Sequence, residues 1–283
     1  MGIVITVISW LLTRTSNKGL DRLGRALTYI FFDIFAIRRQ LMLTNITSAF
    51  GDSLSAEEKT KLARDSFYHT LLTFLEFLGS QDGRLPDAVI HLENRSLLEQ
   101  ALAQNQGVYA LCMHLGNWEA MSSYISRHIR RSNAVVKKIG SPALNAVITK
   151  LRANNGFLPI PRINKGDGYK GMVAALDRGE IAGFVADQSR PGEPLFPFFG
   201  KPAHTNTSLA AIWLKRPAPM IPMYCRRLAP RRLELVFLPP LSLQASGDTQ
   251  EDIRRFTQLF NDTIEGCIRQ RPEEYFWLHN RWK

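Results

Sequence analysis

Apolar and polar positions along this chain fall into two alternating patterns. Residues 107–113 and 181–186 are short, nearly continuous apolar runs that end in polar residues, His114 and Asp187, and read as buried strands. Between such runs the apolar positions recur at helical spacing. Ser55-Ala-Glu-Glu58 is a capping-box signature that opens a helix carrying Leu62, Phe67, Leu71, Phe74, Leu75 and Leu78, closed by Gly79. Further helices are predicted at 94–104, 117–129, 143–154, 169–176, 208–215 and 249–268. Further strands are predicted at 134–138, 157–160, 219–226 and 232–238. The stretch 191–202 is rich in proline and glycine and reads as an apolar loop holding Leu195, Phe196, Phe198 and Phe199. Strands alternating with helices predict an α/β fold: a single domain over 40–283, with a largely parallel central sheet flanked by helices.

The first 39 residues follow a different pattern. Two apolar stretches, 3–12 and 26–37, are separated by Arg14, Lys18, Arg22 and Arg25. Neither reaches the roughly 20 residues of a spanning helix, and no small-residue cleavage site follows the first. Apolar patches interrupted by basic residues suit an N-terminal membrane-associated helical segment lying among anionic headgroups; two ordinary packing helices are the alternative.

Charge narrows the partners. The chain has 283 residues, with 36 Lys and Arg against 25 Asp and Glu, a formal net charge of +11. Such an excess favours acidic lipid headgroups, phosphorylated substrates, an acidic carrier protein or nucleic acid. The basic pairs Arg130-Arg131, Lys137-Lys138, Arg226-Arg227 and Arg231-Arg232 are dispersed, and no nucleic-acid-binding motif accompanies them, so no nucleic-acid partner is expected. Cys112, Cys225 and Cys267 have neither paired nor metal-type spacing and read as reduced thiols of a cytosol-facing protein. The histidines have no metal-ligand spacing, so no metal is expected. There is no nucleophile elbow, phosphate loop or dinucleotide fingerprint, and no cofactor is expected.

The chemistry concentrates at His114-Leu-Gly-Asn-Trp-Glu119. A histidine placed where a strand turns into a helix, with a carboxylate five residues on, suits a general base that an acid holds in one tautomer. On this reading Glu119 orients His114, and no serine or cysteine nucleophile is needed; Cys112 reads as a small core residue of the strand. The Gly-Asn-Trp interior and its neighbours carry a resemblance. Met-His-Leu-Gly-Asn-Trp-Glu, Asn45-Ile-Thr-Ser-Ala-Phe50, Arg152 ahead of Asn155-Gly156, Asp187-Gln188, Pro197-Phe-Phe-Gly200 and the closing Trp277-Leu-His-Asn-Arg281-Trp-Lys283 resemble the lipid A biosynthesis late acyltransferases, within the lysophospholipid acyltransferase-like superfamily. The likeness covers roughly residues 38–283.

The resemblance implies transfer of a fatty acyl chain from a thioester, acyl carrier protein or acyl-CoA, to a hydroxyl of an anionic membrane glycolipid. The acceptor it implies is a lipid A precursor, acylated at the cytoplasmic face of the inner membrane. His114 and Glu119 would be catalytic. Asn117, Arg152 and Asp187 are candidates for substrate binding or for the oxyanion; backbone amides at the start of the 117–129 helix are others. Alternatives are another glycolipid acceptor, such as a phosphatidylinositol mannoside, hydrolysis of a lipid ester or thioester, and a basic binding protein without activity.

Overall fold

Two helices lead the chain, α1 (Gly2–Arg14) and α2 (Asn17–Thr28), the second capped by Ser16, whose hydroxyl accepts from the Gly19 amide at 3.1 Å. The computed structural model of the protein describes residues 2–136, 142–157, 159–161, 166–188 and 191–282. A π-helical turn at Tyr29–Ile34 continues α2 and leads to α3 (Arg39–Phe50). Next comes the long α4 (Ala56–Leu78), opened by the expected capping box: Ser55 Oγ accepts from Glu58 N at 3.2 Å, and Glu58 returns the bond to Ser55 N at 2.7 Å. The N-terminal helices are packed on α4. Leu12 and Leu20 are buried against Leu72 and Leu75, and Thr13 donates to the Gly79 carbonyl at 2.9 Å. The π-helical turn and its sequel leave Tyr29, Ile30, Ile34, Phe35 and Ile37 exposed, as α1 leaves Val7, Ile8, Trp10 and Leu11. Among the described residues no helix is long and apolar enough to cross a membrane.

The α/β part follows in order: β1 (Val89–Glu93), α5 (Arg95–Leu102), β2 (Val108–Cys112), α6 (Trp118–His128), β3 (Ser132–Val136), α7 (Pro142–Asn154), β4 (Ile160–Pro161), α8 (Asp167–Asp177) and β5 (Ile181–Val185). The hairpin β6 (Leu195–Phe198) and β7 (Lys201–His204) comes next, then α9 (Ser208–Lys215), β8 (Met220–Ala229), β9 (Arg232–Phe237) and α10 (Thr249–Gln270). Seven strands form one sheet in the order β1-β9-β8-β2-β5-β3-β4, parallel throughout except for the antiparallel β8–β9 pair. The expected largely parallel sheet with flanking helices is what forms. β2 lies between β5 and β8 with all its residues buried, because helices cover both faces. That double covering is why its sequence is apolar without alternation. One core, with Met113, Met172, Phe198 and Trp277, fills one face; another, with Ala120, Ile125, Ile221 and Phe237, fills the other.

Three expectations change in detail. The 191–202 stretch contains a two-stranded hairpin, β6 with β7, whose turn residues Phe199 and Gly200 both have positive φ, 52° and 71°. Phe196, Phe198 and Phe199 are buried, which explains their place in so proline-rich a stretch. Residues 89–93, unassigned from the pattern, form the edge strand β1. The predicted strand 157–160 is displaced to Ile160–Pro161. Lys137-Lys138, expected to end the third strand, lie outside the described residues.

Candidate active site

The strands β2 and β5 run parallel and in register, so their C-terminal ends reach the same edge of the sheet together. His114 leaves the end of β2 and Asp187 the end of β5, and the Ala186 amide donates to the Cys112 carbonyl at 3.0 Å to extend the pairing to the site itself. His114 and Asp187 meet there. The imidazole Nδ1 is 2.8 Å from Asp187 Oδ1, and the His114 backbone amide donates to Oδ2 at 3.1 Å. Asp187 is fully buried. Burial alone would raise its pKa, but the nearby imidazole charge and the hydrogen bonds from His114 outweigh this and hold the carboxyl below its usual range. Among the described hydrogen bonds of the imidazole, Nδ1 meets both oxygens of Asp187. The ring is 23% exposed.

The turn after His114 is shaped by one glycine. Gly116 has φ of 64°, and a β-carbon there would lie 1.5 Å from the Cys225 carbonyl oxygen, so no other residue fits. Asn117 then caps α6: its Oδ1 accepts from the Ala120 amide at 2.9 Å, while its Nδ2 donates to Glu76 on α4 at 2.7 Å. Glu76 also pairs with the buried Arg227, and Thr73 donates to the Gly116 carbonyl at 3.1 Å. On the other side the C-terminal segment runs antiparallel to the turn. Gly116 N donates to the Glu274 carbonyl, and Phe276 N to the His114 carbonyl, each at 3.0 Å.

Glu119 faces elsewhere than expected. On the first turn of α6 it forms a two-pronged ion pair with Arg152 at the end of α7, at 3.0 Å to Nε and 2.5 Å to Nη2. Both side chains are largely buried. Its carboxylate has no hydrogen bond to His114, so the orienting contact that the sequence assigns to Glu119 is made by Asp187. Asn117 is likewise turned to the cap and to Glu76, and its side chain is fully buried. Arg152 is brought to the same helix end, held by Glu119. Thus the five candidates gather within one region, but pair differently from their order in sequence. Cys112 is buried, and burial, with the Asp187 charge, pushes its thiol up to about 12, a poor nucleophile.

Aromatic rings complete the surroundings. Trp118 packs edge-on to His114 with centroids 5.0 Å apart, and Phe276 lies 5.8 Å from both rings. Neither entered the sequence reading as a site residue; the position of Trp118 next to the predicted helix start was the available signal. Beyond Asp187, a cavity of about 510 Å³ opens between β5, α8 and α9, lined by Gly168, Met172, Gly183, Phe184, Gln188 and Ile212 among others. That size is in the range of small-molecule pockets. No group of three or more His, Cys, Asp and Glu side chains among the described residues is arranged to hold a metal.

Comparison with known proteins gives the family of the chain. The profile of the bacterial lipid A biosynthesis acyltransferases matches residues 2–283. The chain belongs to that family. It is 23% identical over 287 residues to the lipid A biosynthesis lauroyltransferase of Escherichia coli K12, covering 98% of this chain and 89% of that one. It is 24% identical over 284 residues to the lipid A biosynthesis palmitoleoyltransferase of the same organism and to a lipid A biosynthesis acyltransferase of Shigella flexneri, with the same coverage. As a family member, matched along nearly its whole length, the protein is an O-acyltransferase of lipid A biosynthesis.

Proposed function

We propose that this enzyme moves a fatty acyl chain from a thioester to a hydroxyl of a lipid A precursor, with His114 as the general base and Asp187 as the group that orients it. The observation that carries the reading is the His114 imidazole fixed at Nδ1 by a buried carboxylate, with the ring still partly exposed. With Asp187 accepting the Nδ1 proton, the lone pair is at Nε2. An alcohol is a poor nucleophile at neutral pH, and Nε2 takes its proton as the oxygen attacks the thioester carbonyl. The tetrahedral intermediate then expels the thiolate, which takes the proton back from the imidazolium. The products are an ester and a free thiol. Asp187 stays ionised and stabilises the imidazolium while it exists, as the acid does in serine-protease triads.

The negative charge on the carbonyl oxygen needs donors. Met121 N makes the first intrahelical bond of α6, to the Asn117 carbonyl, so the Trp118 and Glu119 amides precede the hydrogen-bonded helix. They are the candidates in the position of the positive helix end, with Arg152 beside them. Glu119 then serves the reaction indirectly, by holding the Arg152 guanidinium where it meets the oxyanion or a substrate phosphate.

The cavity between β5, α8 and α9 suits the donor's acyl chain, because Met172, Phe184 and Ile212 supply apolar lining and Gln188, the residue after Asp187, brings the cavity next to the site. Acyl carrier protein is the favoured donor: the net charge of +11 fits an acidic partner, and Lys215 stands at the cavity rim. Residues 1–39 form the membrane-associated segment, whose exposed Ile8, Trp10, Leu11, Ile34 and Phe35 enter the leaflet while Arg14, Lys18, Arg22 and Arg25 meet its anionic headgroups. On this reading the enzyme works at the cytoplasmic face of the inner membrane.

The test is transfer by the purified full chain, with an acyl carrier protein thioester and a lipid A precursor, read by mass spectrometry. The precursor should gain the mass of one acyl group. Acyl release at the same rate with and without the lipid would instead make the protein a hydrolase.

A further inference from the structure

The start of α6 is held from behind by a carboxylate whose described hydrogen bonds do not include His114. Glu76, on α4, is 2% exposed, and its two oxygens take donors from three separate elements. Oε1 accepts from the Arg227 guanidinium on β8 and from the Arg231 amide at the tip of the β8–β9 hairpin, the latter at 2.7 Å. Oε2 accepts from Asn117 Nδ2, also at 2.7 Å. About one helical turn earlier on α4, Thr73 donates to the Gly116 carbonyl and accepts from Arg227 Nη2 at 3.2 Å. α4 thus grips the turn through Thr73 at Gly116 and through Glu76 at Asn117.

Stability alone does not require this arrangement. The Glu76–Arg227 pair is almost wholly buried, and an apolar pair of similar volume would hold α4 to the sheet as well or better. What an apolar residue cannot do is orient the Asn117 amide. A carboxylate accepts hydrogen bonds and donates none, so only the NH2 group of Asn117 can face it. The Asn117 Oδ1 is thereby turned to the Ala120 amide at 2.9 Å, the bond that caps α6. This cap satisfies the third amide of the helix and leaves those of Trp118 and Glu119 at its start.

We propose that Glu76 is a positioning residue: through Asn117 it sets the direction of the α6 N-terminus, and with it the Trp118 and Glu119 amides that meet the oxyanion. The effect of Glu76→Gln follows from counting donors. A glutamine side chain has one accepting oxygen and one NH2 group. The side that faces Arg227 and the Arg231 amide needs the oxygen, so the NH2 group turns to Asn117 and reverses its amide. Asn117 then presents its own NH2 group to the Ala120 amide, and the cap is lost. Glu76→Asp keeps the charge for Arg227, whose long side chain can follow it. It draws the carboxylate back from Asn117 by one carbon–carbon bond, about 1.5 Å. This inference rests on the proposed acyl transfer with those amides as oxyanion donors.

Hydrogen exchange of the full chain in detergent micelles tests the positioning without turnover. Exchange of the Ala120 amide should quicken about fivefold in Glu76→Gln and in Glu76→Asp, with the amides of β2 and β5 unchanged. Glu76→Asp carries the test alone should Glu76→Gln fail to fold. Unchanged exchange at Ala120, or an equal rise throughout the chain, overturns the proposal. In the transfer assay kcat should fall about 10–100-fold in both variants, with donor and acceptor KM little changed. The loss should run through Asn117. In an Asn117→Ser background a hydroxyl caps the helix with no amide to reverse, and Glu76→Gln should change kcat by less than about twofold. An unchanged kcat, a loss through KM alone, or the same loss in both backgrounds contradicts the proposal. Lack of transfer by the wild type would defeat the acyl-transfer reading instead, and the exchange experiment would still report on the cap.

Discussion

Two carboxylates flank the turn that carries His114, and they do opposite things. Glu119 is five residues away in sequence, yet it faces α7 and is paired with Arg152. Asp187 is 73 residues away, yet it holds the imidazole. The difference lies in how each is delivered. Glu119 is on the first turn of a helix whose start is fixed by the Asn117 cap, so its direction follows α6 rather than the histidine. Asp187 follows a strand in register with β2, and parallel strands bring their ends together whatever the length of chain between them. Polar groups at the C-terminal edge of a parallel sheet are therefore better partners than groups close in sequence.

Mutations break this comparison in graded steps. His114→Ala removes the base itself and should lower kcat by at least about 10²–10⁴-fold, with the fold kept, as checked by circular dichroism alongside the transfer assay. Asp187→Asn comes next. The amide can donate to Nδ1 and so favour the tautomer with its proton on Nε2, and kcat should fall by about 10²–10⁴-fold with little change in either KM. Loss through KM alone would remove Asp187 from the chemistry.

Glu119→Ala acts differently, because it leaves the largely buried Arg152 without its partner. Unfolding in denaturant should show a loss of about 3–5 kcal/mol, the cost typical of breaking a buried pair, and Glu119→Gln should lose less because it keeps a hydrogen bond. Equal stability of Glu119→Ala and wild type would show that the pair is not holding α6 to α7.

The smallest effect concerns the support behind the turn. Burial pushes the Glu274 carboxyl up to about 7, although the Arg227 amide and guanidinium oppose it. A carboxyl whose pKa is raised on folding binds more protons folded than unfolded, so its contribution to stability is present at low pH and lost as pH rises from about 4.5 to about 7. Glu274→Gln should flatten the fall of Tm with pH across that window. An unchanged slope would mean that the group titrates normally.

What could be read from the sequence follows the same division between local and distant causes. The α4 capping box, the β2 run and the strand-to-helix turn at His114 depend on neighbouring residues, and all three form as expected. The central sheet was legible because strands buried on both faces lose their alternation. The edge strand β1 was not, since His91 and Glu93 interrupt its apolar run and its pairing with β9 depends on residues about 140 positions away. The β6–β7 hairpin was hidden by its prolines, which are tolerated because the pair stands apart from the main sheet. At the site, His114, Asn117, Glu119, Arg152 and Asp187 were all legible as residues, but not their pairing. Which carboxylate reaches the histidine depends on strand register, and Asn117 caps α6 through its Oδ1 while its amide nitrogen meets Glu76 on α4, a contact made only by the fold.

The central claim is that Asp187, and not Glu119, fixes the His114 tautomer, and nitrogen-15 NMR of the labelled imidazole reads this directly. In the wild type at a pH where the ring is neutral, the proton should be on Nδ1 and the lone pair on Nε2. That pattern should survive in Glu119→Gln and be lost in Asp187→Asn. The reverse outcome, a tautomer unchanged by Asp187→Asn and altered by Glu119→Gln, would contradict the account.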